Sequence, residues 1–161
     1  DKVMAKTVLD AHGIAQPAWR SLERSDLRDD PGLVDRLLVE LGPTVFVKPA
    51  NMGSSIGVSK ATGADELRAA VDQALRYDDL VVVEESVQAR ELECAVLGND
   101  APRASTVGEI VPGADFYDYE DKYADGVART VIPAEIDPEV LEAARQLALR
   151  TYRALRAEGM A

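Results

Sequence analysis

The chain has one cysteine, one histidine and far fewer bases than acids, and each scarcity removes a class of answers. Cys94 alone cannot build an internal disulfide framework, and its solitude fits a reducing cytoplasm. It lies in an apolar run, where a thiol is expected to be buried and inert. His12 alone, with no cysteine cluster, excludes a zinc site. It closes a predicted helix, where it suits the helix dipole, and is given no chemistry. Lys and Arg number 18 against 29 Asp and Glu, for a net charge of −11. That balance offers no basic stripe to a nucleic acid. It leaves room for an anionic ligand only where a few lysines raise a local positive field. No apolar run approaches a membrane span. The opening Asp1-Lys2-Val3-Met4-Ala5-Lys6 is charged and amphipathic, unlike a signal peptide. Repeats, low-complexity tracts and the G-x-x-x-x-G-K-[ST] phosphate loop are all lacking.

What is present is a globular composition, 47% hydrophobic and 29% charged over 161 residues. That is enough for one domain or two small subdomains. Met4, Val8 and Ala11 fall on one face of a predicted helix over 2–12, with Gly13 as its C-terminal stop. Residues 18–22 read as a strand. Asp30-Pro31 starts a helix carrying Leu33, Val34, Leu37, Leu38 and Leu41, which Gly42-Pro43 ends. Val45, Phe46 and Val47 predict a short buried strand, and Ser59-Lys60 a second. Thr62 and Asp65 have capping-box spacing before a helix over 67–75. Residues 80–84 and 91–97 read as strands, Gly98-Asn99-Asp100 as a turn, and 107–111 and 130–132 as strands. Asp137-Pro138 opens a long helix whose stripe is Val140, Leu141, Ala144, Leu147, Ala148, Thr151, Tyr152 and Leu155. No βαβ rhythm emerges, so the fold class is α+β, in two pieces joined near residue 89.

Three stretches carry chemistry. In VFVKPANMGSSIGVSK, residues 45–60, a loop containing Asn51, Gly53, Ser54, Ser55 and Gly57 joins two strands. Such a loop is either a glycine-rich hairpin or a cradle of N–H groups and hydroxyls for an anion. Lys48, ending a buried strand, favours the cradle, because an ammonium there needs an anion or water. In Val81-Val82-Val83-Glu84-Glu85, a buried strand ends in paired carboxylates. It is either a solvated strand end or a nucleotide edge, with backbone groups after the strand for a base and Glu91 for ribose hydroxyls. Phe116-Tyr117-Asp118-Tyr119-Glu120-Asp121-Lys122-Tyr123 sits in a loop over 112–126 that is long for a compact domain. It reads as a surface loop with aromatic anchors or as a lid that excludes water, with Lys122 bringing positive charge to a transferred phosphate.

In this order, together with Asp1-Lys2, Arg90-Glu91-Leu92-Glu93 and Gly108-Glu109-Ile110-Val111-Pro112, these stretches resemble the ATP-grasp superfamily and, within it, the D-alanine-D-alanine ligases. The stretch over 116–123 is similar to the omega loop of those ligases. The resemblance implies an ATP-grasp fold that is incomplete here, lacking the N-terminal domain and the metal-binding end of the C-terminal domain. Residues 1–88 would be the small central subdomain with the Ser/Gly phosphate loop. Residues 89–161 would be the first part of the C-terminal subdomain, with the omega loop at 112–126. By the same resemblance Lys2 and Lys48 contact ATP phosphates, and the backbone of Gly53, Ser54, Ser55 and Ile56 covers them. Glu84, Glu85, Ser86 and Val87 line the adenine and Glu91 holds the ribose. Ser54 and Tyr123 bond to each other and position the first D-alanine, and Lys122 approaches the γ-phosphate.

The implied activity is ligation of two D-alanines through a D-alanyl phosphate, with MgATP consumed, for cytoplasmic synthesis of peptidoglycan precursors. Tyr123, rather than phenylalanine, implies the dipeptide over D-alanyl-D-lactate. No carboxylate of this chain is carried over as a magnesium ligand, so the Mg2+ site is expected outside it and the chain alone is expected not to turn over. Neither nucleic acid nor membrane is an expected partner, and the full-length enzyme would be a homodimer. The competing readings are another ATP-grasp carboxylate-amine or D-alanine-D-lactate ligase, and a non-catalytic nucleotide-binding module.

Overall fold

A computed structural model describes residues 1–111 and 128–161. The chain divides into two compact units, one of Asp1–Met4 with Gln16–Gln88 and one of Ala5–Ala15 with Ala89–Ala161. The sequence division kept residues 5–15 with the first piece, whereas contacts group them with the second.

The first unit is a four-stranded antiparallel sheet in the order β1-β4-β2-β3. These strands are Trp19–Glu23 (β1), Thr44–Pro49 (β2), Ser59–Thr62 (β3) and Leu80–Glu85 (β4). Helix α1, Lys2–Ala11, precedes them and stops where Gly13 turns to φ +61, with Ile14 N–H bonded to Leu9 O. Helix α2, Arg24–Asp29, follows β1 directly and has no apolar stripe to betray it. Its start is secured locally by a capping box between Glu23 and Asp26. Helix α3, Leu33–Leu41, buries Val34, Leu37 and Leu41 as its stripe predicts. Helix α4, Gly63–Ala74, buries Leu67, Ala70, Val71 and Ala74. Its capping contact comes from Glu66, whose Oε2 accepts from Thr62 N–H at 2.8 Å, and not from Asp65.

One face of this sheet, bearing Val45, Val47, Val81 and Val83, packs with the stripes of α3 and α4 into a single core. Each such side chain, withdrawn fully from water, contributes roughly 1.5–3 kcal/mol. Strand β2 is not buried throughout, as its sequence suggested. Val45, Val47 and Pro49 are buried while Phe46 and Lys48, on the opposite face, are half-buried. A two-residue side-chain period makes this unavoidable in a strand with one core face.

The second unit contains β5 (Glu91–Glu93), β8 (Gly108–Val111) and β9 (Arg129–Val131) in an antiparallel sheet ordered β5-β8-β9. A separate hairpin pairs β6 (Val96–Leu97) with β7 (Arg103–Ala104). The predicted strand over 91–97 is therefore broken at Cys94-Ala95, where the chain changes from one sheet to the other. Helix α5, Pro138–Ala154, is as long as its pattern suggests, but of the stripe only Tyr152 is buried. Val140, Leu147 and Leu155 are exposed. The middle of the stripe lines an open groove of about 450 Å³ together with Leu92, Val96 and Val107. Cys94 also lines it and is half-buried rather than buried. Periodicity identifies an apolar face correctly, yet burial needs a partner surface that periodicity cannot see.

Candidate functional site

The sheet face opposite the core carries Lys48 and Glu84. Phe46 stands directly across from Glu84, and Lys48 across from Val82. Lys48 and Glu84 are thus diagonal neighbours on one face, a spacing that long side chains bridge. Lys48 Nζ donates to Glu84 Oε2 at 2.6 Å and lies 5.9 Å from the centre of the Phe46 ring. Glu84 is 7% exposed, a buried carboxylate whose cost is offset by its cation.

Lys2 joins this pair from the first turn of α1. Its Nζ donates to Pro49 O at 2.8 Å and to Met52 O at 2.5 Å, both neutral acceptors. Its backbone N–H donates to Ala50 O at 2.9 Å. Burial and the neighbouring Lys48 ammonium hold the Lys2 pKa below that of an ordinary lysine, against the pull of Glu84 and Asp78. Lys48, Glu84 and Asp78 therefore all sit within electrostatic reach of the Lys2 ammonium.

The loop between β2 and β3 starts from this cluster. Ile56 N–H donates to Gly53 O at 3.0 Å and Val58 N–H to Ser55 O at 3.1 Å. Ser54 and Ser55 both adopt left-handed backbone angles, φ 51 and 58. Side-chain-bearing residues seldom do so, at about 1–2 kcal/mol each, and hold such angles only where the surroundings dictate them. Gly57, at φ +71, closes the loop, and a Cβ there would lie 2.8 Å from both Pro49 Cγ and Tyr77 Cδ2.

At the end of β4, Glu85 accepts from Ala18 N–H through Oε1 at 2.8 Å, tying down the start of β1. Glu85 N–H donates to Ala18 O and Ser86 N–H to Thr44 O. Both amides are thus spent inside the sheet, and Val87, exposed, lies beyond its last ladder bond. Glu91 is exposed in β5 of the second unit, opposite Ile110. Its neighbour Arg90 forks onto Glu109 at 2.7 and 2.6 Å and also donates to Glu135 O. Lys122, Tyr123 and the rest of the loop at 112–126 lie outside the described residues. The structure thus brings Lys2, Lys48, Glu84 and the residues 53–56 into one unit.

A family model described as D-ala D-ala ligase C-terminus matches residues 8–161. The chain belongs to this family. Its D-ala D-ala ligase relatives include the D-alanine–D-alanine ligase of Deinococcus radiodurans, 50% identical over 163 residues, which are 100% of this chain and 48% of that protein. The enzyme of that name from Acetivibrio thermocellus is 45% identical over 162 residues, 100% of this chain and 43% of the relative. The chain therefore spans less than half the length of these relatives. Among solved structures, the VanG D-Ala:D-Ser ligase of Enterococcus faecalis superposes with a TM-score of 0.86 at 32% identity, covering 99% of this chain and 46% of that one. The D-alanine-D-alanine ligase of Coxiella burnetii superposes at 0.82 and 34%, covering 99% and 40%. The fold is the ATP-grasp fold of the D-ala D-ala ligases, α+β, of which this chain supplies a part.

Two residues beside the D-ala D-ala ligase loop escaped the sequence reading. Asp78 accepts from Asn51 N–H at 2.7 Å and from Asn51 Nδ2 at 2.9 Å, both on Oδ2, and from Leu80 N–H on Oδ1. Tyr77 stands against Gly57. The signal available was an Asp two residues before a strand, an Asx-turn position, which marks a turn and nothing more. Among the described residues no three His, Cys, Asp or Glu side chains gather as a metal site. No helix among the described residues is long and apolar enough to cross a membrane.

Proposed function

We propose that this chain carries the nucleotide-binding part of an ATP-dependent, ADP-forming ligase that joins two D-alanines, serving peptidoglycan precursor synthesis in the cytoplasm. The observation that carries the reading is Lys48, held by buried Glu84 at the root of a strained Ser54-Ser55 loop and flanked by Lys2. It is joined to membership of a family whose named relatives are such ligases. Residues 1–88 act as the central ATP-grasp subdomain and 89–161 as part of the C-terminal one. Lys2 and Lys48 neutralise phosphate charge, the backbone of Gly53 to Ile56 covers the phosphates, and Glu84, Glu85, Ser86 and Val87 line the adenine. Glu91 takes the ribose hydroxyls. Ser54 and Tyr123 position the first D-alanine, and Lys122 approaches the γ-phosphate. A homodimer is proposed for the full-length enzyme.

The chemistry suits these groups. One D-alanine carboxylate oxygen attacks the γ-phosphorus, the bond to ADP breaks, and a D-alanyl phosphate forms. The amine of the second D-alanine attacks its carbonyl carbon, phosphate leaves with the bonding pair, and the amine gives up a proton. Positioning and charge neutralisation do most of this work, with no protein nucleophile. The acyl phosphate also has to be kept from water.

Phosphate release from MgATP by the protein that carries this chain is expected to be stimulated by D-alanine. A D-Ala:D-Ser ligase stands among the structural neighbours, so D-serine and D-lactate are the acceptors to compete. Nucleotide binding without release under any acceptor would favour a binding module instead.

Lys2 adds a pH signature. Its ammonium is depressed in the free protein, below the ordinary 10.5, and a bound polyphosphate would raise it. Binding then takes up protons between the two values, so ATP affinity falls as pH rises through the depressed one. Calorimetry at alkaline pH below the ordinary 10.5, in buffers of different ionisation enthalpy, is expected to register this uptake. It should vanish in Lys2→Met, and an unchanged uptake there would remove Lys2 from the phosphate site.

A further inference from the structure

We propose that the Tyr77-Asp78 corner, which follows α4, is the positioning element of the loop over 51–57, setting its geometry for a polyphosphate. The inference rests on the nucleotide reading above for its ligand, but not for its structural content.

Asp78 grips the first residue of the loop. Its Oδ2 receives both the backbone N–H and the side-chain Nδ2 of Asn51, at 2.7 and 2.9 Å, while Oδ1 receives Leu80 N–H at 3.3 Å. One carboxylate thereby fixes the loop's entry to the start of β4, the strand that carries Glu84. Tyr77, the preceding residue, fixes the exit. Its ring lies so close to Gly57 that a Cβ there would come within 2.8 Å of Cδ2. Pro49 Cγ confines the same glycine at an equal distance. Ala50 N–H, bonded to Leu80 O at 2.9 Å, completes the tie between the loop's root and the same corner.

The two left-handed serines lie between these ends. Their angles are unfavourable for the chain alone, so the surroundings have to hold them, and anchored ends add to the bonds within the loop in doing so. The partial burial that would raise the Asp78 carboxyl pKa is outweighed by the bonds from Asn51, Leu80 and Asp79, which hold it below the ordinary carboxylate range. The anchor is therefore charged throughout the neutral range. Asp78 is not a catalytic residue, since it acts on a ligand only through Asn51 and the loop. Its charge alone would oppose a phosphate, so its presence near Lys2 is accounted for by geometry.

The test compares wild type, Asp78→Ala and Asp78→Asn in the full protein. Amide exchange at Ile56 and Val58 is expected to accelerate about tenfold or more in Asp78→Ala, with Asn intermediate because it keeps one acceptor oxygen. Amides of β2 and β4 should not follow. Affinity for a non-hydrolysable ATP analogue is expected to fall about tenfold in Asp78→Ala, while adenosine affinity stays within twofold. Unchanged exchange at Ile56 and Val58 would overturn the proposal. So would equal losses for adenosine and the ATP analogue, the mark of general destabilisation. Tighter analogue binding in both variants would show that Asp78 acts through charge alone, and also overturns it. If wild type binds neither ligand, the nucleotide reading fails, and the exchange experiment still decides whether the corner holds the loop.

Discussion

On the proposed ligase function, Lys48→Met in the full-length protein is expected to lower D-alanine-dependent turnover by about 100- to 1,000-fold, the range for removing one preorganised charge-stabilising group from a transferring site. It is also expected to destabilise the protein by roughly 1–3 kcal/mol. Breaking a fully buried ion pair costs about 3–5 kcal/mol, because the survivor is left charged and unpaired. The Lys48 side chain is 26% exposed and that of Glu84 9%, so water relieves part of this and the lower figure applies. The two losses separate in a double variant. Glu84→Gln alone removes the buried charge, and Lys48→Met with Glu84→Gln is expected to recover most of the stability and none of the activity. Urea denaturation and phosphate-release kinetics on the three variants check this. Recovery of turnover in the double variant would mean that Lys48 serves the fold and not the phosphates.

Gly57→Ala is expected to lose about 2–5 kcal/mol, the largest stability effect in the loop. Two penalties add there, the left-handed φ of +71 at about 1–2 kcal/mol and overpacking at about 1–3 kcal/mol. A Cβ would meet Pro49 Cγ and Tyr77 Cδ2 at 2.8 Å, ring atoms and not the end of a flexible chain. Two other glycines isolate the terms. Gly63 has φ +77 but open space around a Cβ, so Gly63→Ala should show the backbone penalty alone, about 1–2 kcal/mol. Gly53 has neither feature, so Gly53→Ala should lie within about 0.5 kcal/mol of wild type. Denaturant midpoints with unchanged slopes give this order directly. Equal losses at 57 and 63 would show that the Tyr77 ring yields freely, and would weaken the case for that corner as a clamp.

The nature of this protein was legible wherever the chemistry is local. A lysine before proline, a run of Gly and Ser between two extended segments and a valine strand ending in two glutamates are contiguous stretches. Their backbone preferences and side-chain types are fixed by the residues themselves. The stripes of α3 and α4 were legible for the same reason, since a helical period shows which side is apolar. Helix α2 was not, because six residues with a capping box and no stripe leave no period to read.

Tertiary structure decided the rest. The sequence put Lys48 and Glu84 in two separate strands, and only the register of β2 against β4 made them diagonal partners. Lys2 stands far from Met52 in the chain and reached its carbonyl only because the fold groups Asp1–Met4 with Gln16–Gln88. Asp78 looked like a turn residue until the fold brought Asn51 to it. The stripe of α5 was read correctly as apolar, but that only Tyr152 of it is buried was not legible, because burial belongs to a pair of surfaces and a sequence shows one of them at a time. Residue type and local period were thus determined by the sequence alone. Which charges meet, and which apolar faces are covered, depended on contacts between distant segments, whose pairing follows from the summed packing of the whole unit and from no single stretch of it.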